Sequence, residues 1–174
     1  MAHEGAVGIM PFALVRPVYD PKVRGLCALP YEGHAKGCPN WKKHERCPPA
    51  APLLVDCFNL AKPTWAIWYD FAFGEHVERM RVKHPDWSER QLRCCLYWQG
   101  TARKMLEVEI RKFWALQPTA MVVRCPEAMG LSVTATMAQV GVALEWPPAT
   151  RTVHVALAGF GRPECFGLKM EEQP

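Results

Sequence analysis

The chain has 174 residues, 49% of them hydrophobic, and a formal net charge of +4. That size supports one domain with its own core and makes disulfides unnecessary for folding. No apolar run approaches the about 18–20 residues of a transmembrane helix, and the N-terminal stretch MAHEGAVGIMPFALVRPVYD lacks the basic and apolar regions of a signal peptide. A cytoplasmic protein without a membrane partner is expected. In that compartment its eight cysteines read as buried thiols, metal ligands or catalytic groups rather than disulfides. The mild basicity permits an anionic partner without requiring one.

Sixteen prolines, many of them between Pro17 and Pro63, predict an extended, loop-rich segment over residues 1–62. Residues 64–73, TWAIWYDFAF, are aromatic and β-branched and read as a buried strand. EHVERMRVKH follows as a short helix stopped by Pro85. Residues 87–116 predict one long helix. Ser88 and Gln91 form a capping box, Trp87 and Leu92 a staple, and Leu92, Cys95/Leu96, Gln99, Ala102, Leu106, Ile110 and Phe113 an apolar stripe.

AMVVR (120–124) reads as a short strand. A helix is then predicted from Pro126 to the capping Gly141, and TVHVALAG (152–159) gives a last strand. Strand, helix, strand, helix, strand argues for an α/β fold with a small, mostly parallel sheet. The expected layout is one domain over 1–174. Residues 1–62 form the irregular cysteine segment, 63–160 the α/β core, and 161–174 a loosely held polar tail.

The segment CALPYEGHAKGCPNWKKHERCPP has almost no aliphatic side chains, yet it holds Cys27, Cys38 and Cys47. Burial alone does not offset its ordering entropy, whereas metal–thiolate bonds do. Cys38, Cys47 and Cys125 each precede a proline, a step also found in one iron–sulfur ligand run. Cys125 falls at the predicted strand-to-helix junction. There a helix dipole favours a thiolate, and α/β sheets place ligands at the carboxyl ends of strands. It is the best fourth ligand on these grounds.

Cys95 and Cys57 read as core residues, and Cys165 as a free thiol or alternative ligand. His34, His44, Asn40, Arg103 and Glu127 are candidates for the surroundings of the metal, with Arg103 suited to an anion. Tyr97, Trp98 and Gln99 read as core or as an aromatic patch beside it. Tryptophans and basic residues are not interleaved as a nucleic-acid surface would need.

GCPNWKKHERCPP, with CALPY upstream and RCPEAMGLSVTATMAQVG downstream, resembles an uncharacterised family of predicted metal-binding, iron–sulfur proteins. The resemblance covers roughly residues 24–50 and 120–159. It implies a four-cysteine cluster site at Cys27, Cys38, Cys47 and Cys125. Where the family often carries tyrosine and glycine after GCPN, this chain has Trp41 and Lys42.

The functional expectation is a [4Fe–4S] protein in electron transfer or redox sensing, served by a redox partner protein or a small-molecule substrate. One alternative is a three-ligand cluster enzyme of the sulfur-transfer or desulfuration type, with His34, His44, Glu32 or Glu127 carrying protons. The other is a structural zinc module, since four thiolates suit tetrahedral zinc equally.

Overall fold

A computed structural model describes residues 10–31, 34–162 and 165 of the chain. The elements in order are strand β1 (Phe12–Leu14), a 3-10 helix (Pro21–Ala28), helix α1 (Leu54–Cys57), strand β2 (Trp65–Phe71) and helices α2 (Phe73–Lys83) and α3 (Glu89–Leu92). A 3-10 turn (Cys95–Tyr97), helix α4 (Gln99–Leu116), strand β3 (Met121–Val123), a second 3-10 helix (Pro126–Met129), helix α5 (Val133–Ala138) and strand β4 (Thr152–Gly159) follow. Among the described residues no helix is long and apolar enough to cross a membrane.

The sheet corrects the expected topology. Its order is β1-β2-β4-β3 and every neighbouring pair is antiparallel. Both β2 and β3 run antiparallel to β4, so they are parallel to each other, as a strand–helix–strand unit requires. β4 then inserts between them, which makes a split βαβ arrangement. The pattern of elements carries no trace of this insertion, but the composition of β4 suits it. Val155 and Leu157 enter the core with Leu54, Met129, Leu131 and Met137 on one face. Ala156 and Ala158 face Leu106, Ile110 and Phe113 of α4 on the other. A strand buried on both faces belongs in the middle of a sheet.

Two predicted helices are broken. The capping box at Ser88 and Gln91 is present, but α3 ends at Leu92 and α4 starts only at Gln99. Between them Trp98 is pulled into the core, stacked on Phe71 at 5.6 Å with Phe73 edge-on at 5.2 Å. Leu96, assigned to the apolar stripe, is 83% exposed. The Pro126–Gly141 helix is interrupted by Gly130, whose φ of 93° is left-handed. Only four residues of 3-10 helix follow Cys125, so the helix dipole invoked there has no structural basis.

The cysteine expectation is corrected as well. Cys57 and Cys165, 108 positions apart in sequence, form a disulfide with Cα atoms 5.5 Å apart. The chain leaving β4 returns past α1, where Asn59 N–H donates to Phe160 O (2.7 Å) and Arg162 N–H to Cys57 O (2.8 Å). That return brings Cys165 beside Cys57 and removes it as an alternative metal ligand. The rest of the expected tail beyond Arg162, and Glu32, lie outside the described residues.

Candidate metal centre

The carboxyl ends of β2 and β3 and the start of α4 lie at one end of the sheet. The proline-rich N-terminal segment is tied there through the first 3-10 helix. Asp20 caps that helix, its Oδ1 accepting from Lys22 N–H (3.0 Å), and Pro21 occupies its first turn. Asp20 N–H donates to Gly130 O (2.8 Å). A Cβ on Gly130 would stand 3.0 Å from the Tyr19 ring and 3.3 Å from Pro21 Cα. The left-handed glycine therefore allows the close packing of the Cys27 helix on the Cys125 segment.

A second close approach joins Cys38 to Cys27. Cys38 N–H donates to Cys27 O (2.8 Å). Gly37, with φ 78°, comes so near that a Cβ there would lie 2.7 Å from Cys27 O. Tight turns carry the chain on to Cys47: Trp41 N–H to Cys38 O (3.0 Å), Lys43 N–H to Asn40 O (3.1 Å) and Cys47 N–H to His44 O (2.9 Å). Lys42 N–H closes the loop on Pro48 O (3.0 Å). The Arg24 guanidinium staples the first 3-10 helix to the far end of the loop, donating to Pro49 O (2.9 Å) and Ala51 O (2.6 Å).

Six cysteines are free: Cys27, Cys38, Cys47, Cys94, Cys95 and Cys125. Burial raises the Cys27 thiol pKa, and the charges of Cys38, Glu127 and Cys47 raise it further. Burial also raises Cys47, with Cys38 and Glu127 adding and Arg103 opposing. Cys125 is open to solvent yet set in a hollow. The surrounding protein pushes its thiol up to about 11, helped by Glu127 and Cys47 and opposed by Arg103 and Arg46. Cys95 is raised by burial and by Cys94, and is close enough to Cys38 and Arg103 to feel both. Cys27 and Cys47 thus both feel Cys38, Cys27 and Cys125 both feel Cys47, and Cys95 feels Cys38 from its own segment.

Glu127 and Arg103 belong to the same hollow. Crowding raises the Glu127 carboxyl, while its own backbone N–H and Arg103 pull it down. Among the other candidates, His34 stacks on Tyr31 with centroids 4.6 Å apart. His44 turns along the loop, its Nδ1 accepting from Arg46 N–H (3.3 Å), and Asn40 is exposed. Trp98 is core, and Tyr97 lies against Trp87 with centroids 4.6 Å apart and the rings tilted by 34°. Arg24, Arg46 and Tyr31 escaped the sequence reading because nothing in their spacing sets them apart.

The donor set fits a soft metal. Cys38 raises the proton affinity of Cys27 and Cys47, and Cys47 that of Cys27 and Cys125, a repulsion between thiolates that a bound cation would relieve. The cage is gathered without being closed. Among the described residues no three His, Cys, Asp or Glu side chains stand in a metal-holding arrangement.

His154 on β4 was also missed. Burial, with Arg103 adding, lowers its pKa from 6.5 to about 4. Below pH 6.5 the unfolded chain takes up a proton that the folded chain refuses. Stability present above that pH therefore declines as pH falls toward 4. His154→Gln is expected to flatten this limb by about 2 kcal/mol, allowing for partial exposure. Urea denaturation between pH 7 and pH 4 checks it, and an unchanged slope would contradict the assignment.

Comparison with family models, with curated proteins and with solved structures finds no match to this chain.

Proposed function

We propose that this chain is an iron–sulfur protein that holds a [4Fe–4S] cluster on Cys27, Cys38, Cys47 and Cys125 and serves in redox transfer or sensing. One observation supports the reading: backbone close approaches at Gly37 and Gly130 join the segments that carry Cys27, Cys38 and Cys125, and Cys47 influences both Cys27 and Cys125. When bound, such a cluster supplies one-electron chemistry.

The chain's own contribution is containment and charge. Cys27 and Cys38 approach along paired backbone, and Arg24 fixes the loop that delivers Cys47. Cys125 closes the hollow from the end of β3. Arg103 and Arg46 stand near the thiols and offset the negative charge of a thiolate-bound centre.

The test is an absorption spectrum with iron, sulfide and zinc analysis on anaerobically purified protein. A broad band at about 400 nm with about four irons and four sulfides per chain supports the reading. A colourless protein with about one zinc per chain replaces it with a structural zinc module.

A further inference from the structure

A cavity of about 440 Å³ opens beside Cys38, lined by His34, Lys36, Gly37, Cys38, Trp41 and Lys43. Its size lies in the range of small-molecule sites. Its walls combine two chemistries. Trp41 is half-buried, and the His34 imidazole is held flat against Tyr31 at an interplanar angle of 14°. Lys36 and Lys43 are exposed and make no hydrogen bond or ion pair among the described residues.

The charge is concentrated here. Residues 34–47 hold four Lys or Arg and one Glu, a local net of +3 in a chain whose total is +4.

We propose that this cavity binds a small anion carrying a planar ring, of the mononucleotide class. The ring lies against Trp41, and the phosphate sits between Lys36 and Lys43. A bare anion would leave the aromatic wall unused, and a neutral ring would leave two ammonium groups unpaired. Aromatic faces accept any base, and lysine serves phosphate as a point charge. The cavity shares Cys38 with the proposed metal centre, so a bound ligand would sit next to it. Binding itself does not depend on the metal.

Isothermal titration of the full chain as purified, with AMP, adenosine and inorganic phosphate as probes, tests the proposal. AMP is expected to bind saturably, with adenosine and phosphate each about tenfold weaker or worse. Trp41→Ala and the double change Lys36→Ala/Lys43→Ala should each weaken AMP by about tenfold. Trp41→Phe, which keeps a ring, should stay within about threefold. Circular dichroism confirms that each variant is folded, and the metal content of the lysine variant should match the parent. No saturation by AMP up to about 10 mM overturns the proposal. So does phosphate binding as tightly as AMP, or AMP affinity unchanged in both alanine variants. A parent chain that holds its metal yet does not bind AMP fails this proposal alone, and one that binds AMP without metal fails the metal reading alone.

Discussion

Gly37→Ala is expected to destabilise the metal-free protein by about 3 kcal/mol and to lower its metal content. The backbone at Gly37 has φ 78°, where an L side chain costs about 1–2 kcal/mol. The larger cost is steric. The new Cβ would lie 2.7 Å from Cys27 O and 2.9 Å from both Ala28 C and Ala28 O. These are backbone atoms and cannot rotate away. The chains must separate, and the Cys38 N–H to Cys27 O bond is lost with them.

Two other glycines isolate these effects. Gly141 has φ 72° but nothing within 4 Å of its Cβ position, so Gly141→Ala should cost only the conformational share, about 1 kcal/mol. Gly100 lies in α4 with open space and an ordinary φ, so Gly100→Ala should stabilise by up to about 1 kcal/mol. Urea denaturation of the three variants measures the order. If Gly37→Ala behaves like Gly141→Ala, the close approach of the two segments is not as described here.

The elements legible in the sequence are those whose signal is local. β4 was bounded as 152–159 because its apolar run ends in glycine, and β2 was found because its aromatic run is fenced by Pro63 and Gly74. The capping box at Ser88 declared the start of α3 correctly. β1 was missed because three residues next to Pro11 show no periodicity, and only pairing with β2 makes them a strand. The break before α4 is a tertiary effect. Helical spacing favours continuing through Arg93–Trp98, but burying Trp98 against Phe71 and Phe73 wins over it.

The same division holds for the hollow. Its cysteines stand out by residue type and by the prolines that follow them. Arg24 and His154 act only through contacts formed after folding. The Cys57–Cys165 disulfide was illegible for a similar reason, since the fold alone brings two such distant residues together.

Serine substitution at Cys27, Cys38 or Cys47 is expected to reduce bound metal to about a tenth of the parent level or less, while Cys94→Ser and Cys95→Ser leave it near the parent level. Serine keeps the shape of cysteine but offers a hard, protonated oxygen where a soft thiolate is needed. The expected contrast comes from position. Cys27, Cys38 and Cys47 are fixed by backbone hydrogen bonds within one loop system. Cys95 feels Cys38 only from the flank, across the break between α3 and α4, and Cys94 is a neighbour through Cys95.

Metal analysis of each variant, purified without air and checked by circular dichroism, reads the result directly. Cys125→Ser divides the remaining readings. A four-thiolate centre loses its metal with this change. A centre that keeps its iron and sulfide without Cys125 is held by three ligands, leaves one iron open, and belongs with enzymes rather than electron carriers. Retention of metal after every one of the four loop and strand-end substitutions would leave these cysteines without a metal role.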